Sequence, residues 1–557
     1  MSQTASQRFE QHFIDLIAPG VDPQIERVLR DLVRATRRQH TCIDLSDKPQ
    51  ALLDLLRSLD IVSTPGSAAP LVMHGSKLFF AKYYQMEADV ATRFRHLNAT
   101  LDEPPTAWLQ TALLSHFGED LRDRQRLAAL LALTRRLTII SGGPGTGKTS
   151  TVARILELLT ARTPELVIKL AAPTGKAAMR LNESLNDGHG AEPYNVTTIH
   201  RLLGMRADGR SFRHDRYNPV QADVLVVDEA SMIDLRLMHR LLEALPTDIR
   251  LILLGDPDQL PSVDSGNVLA DLCASDPVFT ETFVTQYRDL VDLSAAHTAH
   301  HGLSNAICHL DRNFRFTEDS AVGRLAARTR RGDAAFEGSN NNEVGIEPTL
   351  DLSTANEALL APWTPYFTLL KSGRAAPHEL LASFNKARIL TSYRGGPTGV
   401  VAINRFIEEV LATRGLRNTD DEFYPGRPVM VLRNEYRLDI YNGDVGICVP
   451  GSGADLIAFP GQDPLKPRLL AASRLPEHET CFAMTVHKSQ GSEFDHISLI
   501  LNEREQDDEL ISRELVYTAI TRARRSVTLH GNKTDWEDAL ANRATRISGM
   551  AEFLSED

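Results

Sequence analysis

Residues 136–160 read RLTIISGGPGTGKTSTVARILELLT: an apolar run, a glycine-rich turn and a longer amphipathic run in immediate succession. The first run, rich in β-branched residues, reads as a buried strand and the last as a helix. Between them GGPGTGKT, residues 142–149, matches G-x-x-x-x-G-K-[ST] in the strand–loop–helix setting that the pattern requires. Glycines let successive backbone N–H groups turn inward around phosphate oxygens, and the helix start adds its partial positive charge. Lys148 then reaches the β- and γ-phosphates and Thr149 holds Mg²⁺. The expected cradle for ATP is Gly142, Gly143, Pro144, Gly145, Thr146, Gly147, Lys148, Thr149 and Ser150. The competing reading, a glycine-rich turn that binds nothing, leaves the register of strand, loop and helix unexplained.

Working outward, VIKLAAP, DVLVVDEA and RLILLGD repeat the pattern of a short apolar run followed by a helical stretch. That alternation predicts an α/β fold with a parallel sheet between helices. In such a sheet the C-terminal strand ends face the ligand. Asp228 and Glu229 close the strand DVLVV, so Asp228 is the expected Mg²⁺ ligand and Glu229 the group that orients the attacking water. Gln259, in GDPDQ after the next strand, stands where it would sense a γ-phosphate. Taken alone, the acidic pair also fits a surface turn and GDPDQ an Asp-Pro turn.

The 557 residues are enough for three or four domains. Residues 1–105 show helical periodicity, as in QIERVLRDLVRATRR and ALLDLLRSLDIV, and end in the linker Asp102–Pro105. Residues 106–336 hold the strands above, and EGSNNNEVG, residues 337–345, reads as a second linker. Residues 337–557 repeat the alternation in ARILTSY, FAMTVHKS, HISLILN and SVTLHGN, interrupted at about 425–480 by a β-rich insertion with Asn442-Gly443 as a turn signal. A formal charge of −12 speaks against a broad phosphate-coating surface and leaves room for a narrow strand-holding groove. The five cysteines are far apart, without the Cys-x-x-Cys spacing of zinc or iron–sulfur sites. MSQTASQRFEQHFIDL lacks the pattern of a signal peptide, and the apolar stretch LAALLALTRRLTII is broken by Arg135 and Arg136. A cytoplasmic protein without membrane contact is expected.

Further segments complete an ordered set. APTGKAAMRL (172–181), TTIHRLLG (197–204), TVHKSQGSEFDHISLIL (485–501) and LVYTAITRARRSVTL (515–529) resemble motifs Ia, the segment after it, V and VI of superfamily 1 helicases. The resemblance covers most of residues 115–535. Within that superfamily AAPTGKAA, TIHRLLG, DEASMID, LPSVDSGNVLADLC (260–273) and RNFRF (312–316) are similar to the RecD family, the alpha subunit of exonuclease V. This resemblance implies two RecA-like P-loop motor domains, a helical N-terminal domain that docks onto RecC, and a small SH3-like β-barrel at the insertion. It implies ATP-driven 5′ to 3′ movement on single-stranded DNA. It also implies a heterotrimer with RecB and RecC, acting on double-stranded DNA ends, in which RecB carries the nuclease. Longer stand-alone RecD-like helicases have an extended N-terminal region with helix–hairpin–helix elements. No such repeats are read here, so the subunit reading is favoured over a stand-alone motor.

The resemblance also suggests roles. Gln125, in DRQRLAAL, fits the position that reads adenine, or is a polar residue on an amphipathic helix. Arg315 and Arg522 are candidate arginine fingers from the second motor domain, and Glu493 the acid that contacts the ribose. Arg524 and Arg525 are expected to be structural or exposed. Pro173, Thr174, Gly175, Lys176, Thr198 and His200 are candidate DNA contacts from the first motor domain, and Thr485, His487, Lys488 and Ser489 from the second. Each of these also fits loop packing or helix capping. The stretch RADGRSFRHDR, residues 206–216, reads as a hairpin that wedges a duplex or as an ordinary surface loop. Tyr436 and Tyr441 either stack on bases or fill the barrel core.

Overall fold

The computed structural model describes residues 3–64, 69–101, 104–186, 194–206, 208–294, 297–298, 302–316, 320–335, 343–352, 357–417, 421–451, 454–461, 463–501 and 511–555, with residues 3–6, 357–358 and 436 described by backbone alone. Two parallel sheets dominate it. The first has six strands in the order Ile307–Leu310, Leu137–Gly142, Arg250–Gly255, Val224–Val227, Ile168–Ala172, Val196–Thr198. The second has five, in the order Val344–Glu347, Ala523–His530, Phe494–Ile500, Ala387–Thr391, Ala483–Thr485.

Burial on both faces explains the continuous apolar runs of the first sheet. Ile140, Val224, Val226, Ile252 and Leu254 pack into one core, with the helices Arg124–Thr134 and Lys148–Arg162. Ile139, Leu225, Val227, Leu251 and Leu253, one residue out of phase, pack into another core on the opposite face. A strand covered on both sides has no polar face to alternate with.

The insertion forms a separate antiparallel sheet in the order Arg468–Ala471, Leu456–Phe459, Val445–Val449, Pro428–Val431, His478–Thr480. Its pleat divides the side chains: Met430 and Ile447 join the core of the second parallel sheet, while Val429, Val431 and Cys448 form a small core of their own. Gly443 takes φ +92 in the turn between the first two strands of the insertion, a conformation open to glycine.

The structure departs from the expected organisation in three places. The N-terminal region is not helical throughout: between its helices lies a four-stranded sheet, ordered Cys42–Asp44, Lys77–Phe80, Leu71–His74, Val62–Ser63. The helix Ala321–Arg331, placed before the 336/337 boundary, buries Val322 and Leu325 in the core of the second sheet. The chain's last helix, Met550–Ser555, leaves the second sheet and buries Met550 and Phe553 beside Phe79 and Phe94 of the N-terminal region. In the linkers, Asp102, Glu103 and residues 337–342 lie outside the described residues.

Candidate functional site

The phosphate loop leaves the C-terminal end of Leu137–Gly142 and turns on Gly145 (φ +83) and Gly147 (φ +81) before the helix at Lys148. Side chains crowd it so closely that a Cβ would not fit. The Tyr517 hydroxyl stands 2.8 Å from where one would sit on Gly143, Arg315 and Asn313 lie against Gly145, and the Gln125 carboxamide lies against Gly147. Thr146 braces the turn by donating to the Gly143 carbonyl at 2.8 Å. Ser150 donates to the Gly147 carbonyl at 2.9 Å, so its hydroxyl supports the loop from behind. Lys148 Nζ donates to the carbonyls of Gly142 at 2.5 Å and Gly143 at 3.1 Å, and Thr149 is half-buried in the first helical turn. Gln125 is buried and donates to the Thr146 carbonyl at 3.3 Å. Its helix is buried on every side from Gln125 to Thr134, which removes the amphipathic-surface alternative.

Asp228 and Glu229 follow the strand Val224–Val227, facing the loop. Burial and the neighbouring Glu229 carboxylate push the Asp228 carboxyl above its ordinary range, and Lys148 pulls it back. A bound divalent cation would reverse that rise by favouring the carboxylate. Glu229 holds φ +52, a left-handed conformation that costs a non-glycine residue about 1–3 kcal/mol and is concentrated at functional sites. The oxygen donors of Thr149 and Asp228, with the glycine loop beside them, fit a Mg²⁺–triphosphate.

The second sheet completes the site. Gln259 is buried, donating from Nε2 to Asp256 at 3.0 Å and accepting from Arg522 Nη2 at 2.9 Å. Tyr517 donates to Asp256 at 3.1 Å. The backbone of Leu260 is held at both ends, its N–H donating to Thr518 Oγ1 at 2.8 Å and its carbonyl accepting from Gln490 at 3.2 Å. Asp256, Tyr517, Thr518 and Gln490 were not singled out from sequence. All four lie within or beside quoted motifs, and partners on the other sheet give them their role.

Arg315 departs from expectation. RNFRF follows the edge strand of the first sheet and packs onto the phosphate loop, with Phe314 N–H donating to Gly145 at 2.7 Å and Asn313 to Pro144 at 2.8 Å. Arg315 therefore approaches from the connector rather than from the second sheet. The carboxylate of Glu493, the residue expected at the ribose, is 8% exposed and pairs with Arg180 and Arg315 and with Arg524 at 3.1 Å. Arg180 was not anticipated either. It lies one helical turn beyond Lys176, and Glu229 and Asp228 both bear on its charge. Arg524 is half exposed apart from that pair, and Arg525 is exposed beside Asp495 at 3.9 Å.

The candidate DNA residues gather along a second line. Thr198 and Thr485 end equivalent edge strands of the two sheets, and each caps a four-residue helix, accepting from Arg201 and Lys488 N–H respectively. His200 stacks at a tilt on Phe212, 6.1 Å between centroids, which brings the 206–216 turn beside it. That turn is a tight hairpin, with Met205 bridged to Phe212 and Gly209 at φ +64; Ala207 lies outside the described residues. Pro173 and Thr174 form a half-buried loop, and Gly175 opens the helix Gly175–Asn186 that follows it. Burial pushes the Lys176 ammonium down to about 8. Lys488 pairs with Glu479 at 2.9 Å, and burial lowers His487 as well. Ser489 does not fit as a DNA contact: it is fully buried and donates to the Val486 carbonyl at 2.6 Å. Tyr441 is not a core residue. Its ring lies against Gly175, 2.6 Å from where a Cβ would sit, and Arg201 reaches its hydroxyl at 3.4 Å. The side chain of Tyr436 lies outside the described residues.

Comparison with known proteins agrees with this geometry. An AAA domain model matches residues 125–265 and a UvrD-like helicase C-terminal domain model residues 480–530. The RecBCD enzyme subunit RecD of Mycobacterium tuberculosis is 35% identical, covering 96% of this chain and 92% of its own length. That of Haemophilus influenzae is 33% identical over 88% of this chain and 82% of its own. The ATP-dependent RecD2 DNA helicase of Deinococcus radiodurans is 32% identical over 75% of this chain and 50% of its own length. Among solved structures, a Bacteroides Pif1 bound to single-stranded DNA aligns with a TM-score of 0.40 at 16% identity, covering 75% of this chain and 94% of that one. With two parallel sheets meeting at a phosphate loop and a RecD subunit 35% identical along 92% of its own length, the chain belongs to the RecD family and is an ATP-dependent DNA helicase.

Proposed function

We propose that this chain is the RecD subunit of a RecBCD-type enzyme, moving 5′ to 3′ along one strand of a double-stranded DNA end, with RecB and RecC as partners in the cytoplasm. The observation that carries the motor part of this reading is the direct bond between Gln259 of one sheet and Arg522 of the other, next to the phosphate loop; the subunit part rests on the RecD relatives. In it, residues 106 to about 320 form the first motor domain and the helix Ala321–Arg331 onward the second. The antiparallel insertion is a small SH3-like barrel over the DNA, and the N-terminal region is the docking unit.

ATP supplies a γ-phosphoryl group whose transfer to water drives the cycle; Thr149 and Asp228 would hold Mg²⁺, which would offset the phosphate charge. The chain's part is positioning. Lys148 and the loop N–H groups hold the phosphates, Glu229 orients the water, and Gln259 passes the state of the site to Arg522. Arg315 and Arg522 neutralise developing charge from two sides. Domain closure would shift the grip of Thr174, Lys176, Thr198 and His200 relative to Thr485, His487 and Lys488.

The share of this chain that each relative matches favours a subunit over a stand-alone motor: 96% for the mycobacterial RecD subunit against 75% for the RecD2 helicase. Two experiments test the proposal. Lys148→Ala is expected to abolish DNA-stimulated ATP hydrolysis and unwinding; retained turnover sinks the mechanism. Strand displacement is expected on 5′-tailed and not on 3′-tailed duplexes, and the chain is expected to co-elute with RecB and RecC in gel filtration.

A further inference from the structure

A second cationic cavity lies at the far end of the first sheet from the phosphate loop. It has a volume of about 320 Å³ and is lined by Arg136, Arg162 and Arg250, among others. Arg136 precedes the strand Leu137–Gly142 and Arg250 opens the strand Arg250–Gly255, whereas the phosphate loop leaves the opposite end of the first of these. Six strand residues at ~3.3 Å each separate the two places by roughly 20 Å. The cavity is therefore no extension of the ATP site, and its size falls in the range of small-ligand pockets.

Its charge is only partly offset from within, three guanidinium groups facing the two carboxylates of Asp223 and Asp248. Nε of Arg136 and Nε of Arg250 are buried without a hydrogen-bond partner. Burial and the like charge of Arg162 push Arg250 down to about 10. Asp223 and Asp248 also line the cavity, but Asp223 accepts from the Val167 N–H at 2.7 Å, and Asp248 bears on Arg93. Arg162 lies at the exposed rim over the ring of Trp108, 5.7 Å away, which limits the directions its guanidinium can point. Three guanidinium groups around one small space, two with buried unmet donors, match the fork-shaped donor geometry that binds phosphoryl oxygens.

We propose that this cavity is a second anion site, which takes a small free phosphate such as inorganic phosphate or pyrophosphate. The anion would supply acceptors to the two buried Nε groups and relieve the repulsion between Arg162 and Arg250. Because the cavity joins the starts of neighbouring strands, occupancy would stiffen the motor domain that carries the phosphate loop.

The test is pyrophosphate titration of the full-length chain, read by thermal shift and calorimetry without Mg²⁺. Lys148→Ala removes the main side-chain phosphate contact of the ATP site and is expected to leave this binding in place. Arg250→Gln is expected to weaken it about tenfold or more, the loss of at least one charge-assisted hydrogen bond. Arg162→Ala, at the exposed rim, serves as the second variant should Arg250→Gln fail to fold, and is expected to weaken binding as well. No saturable binding, binding that both arginine variants retain at full strength, or binding that Lys148→Ala alone abolishes overturns the proposal.

Discussion

Arg522 shows how little freedom the centre of the site has. It is 2% exposed, and its guanidinium donates to Gln259 at 2.9 Å and to the Thr518 carbonyl at 3.1 Å. A lysine would keep the charge but lose the planar fork that makes both bonds at once. Arg522→Lys is therefore expected to lower DNA-stimulated kcat on the order of 10²–10³-fold, with KM for ATP changing far less. Arg524→Lys, at a half-exposed position paired with Glu493, is expected to change kcat by less than about threefold. Steady-state hydrolysis at saturating single-stranded DNA checks both; equal effects would mean that Arg522 acts as general positive charge. Glu493 illustrates what sequence does not carry at this scale. A carboxylate two residues after a glycine is legible, but that Arg180, Arg315 and Arg524 converge on it depends on three separate segments meeting in space.

Among the elements, strands covered on both faces were the most legible, because burial writes itself as unbroken apolar runs. RLTIIS, VIKLAAP, DVLVVDEA and RLILLGD all form strands of one sheet. The N-terminal sheet left no comparable trace. Its strands are two to four residues long, too short for a period-two pattern to emerge beside the helices. The helix Ala321–Arg331 falls before the expected boundary yet packs on the second sheet, since an apolar stripe does not say which sheet it will cover. Tyr441 was left open between stacking and core; it lies outside the core and presses the insertion onto the helix start at Gly175. A methyl group at Gly175 would meet the ring at 2.6 Å. Gly175→Ala is expected to destabilise the chain, and Tyr441→Ala in the same chain to recover much of that loss. A double-mutant cycle by chemical denaturation should return a coupling of about 0.5–3 kcal/mol. A coupling near zero would show that the insertion yields freely at this contact.

Across the whole molecule, the last residues of the chain lash the N-terminal region to the first sheet. Arg546 donates to the carbonyls of Asp264 at 2.6 Å and Gly266 at 2.7 Å, and also pairs with Gln39. Thr41 N–H donates to the Ile547 carbonyl at 3.1 Å, and Lys77 Nζ donates to the Ser548 carbonyl at 2.6 Å and pairs with Glu552. Two acids face this strap, Glu87 buried and Asp271 half-buried. Glu87 accepts from Gly549 N–H at 2.7 Å, and burial raises its carboxyl from 4.5 to about 7. Burial likewise raises Asp271 from 3.8 to about 7, against the pull of the Ser548 hydrogen bond and of Lys77. Both pKa values are higher folded than unfolded, so the folded state binds the extra protons. Their contribution to stability is complete below the unfolded values and is lost as pH rises through about 7. Tm is therefore expected to fall between about pH 5 and pH 8 by more in the natural chain than in Glu87→Gln, which keeps an acceptor for Gly549 and has no proton to lose. Thermal melts across that range decide it. Parallel curves for the two chains would mean that the strap holds Glu87 ionised throughout and that Lys77, rather than burial, sets its charge.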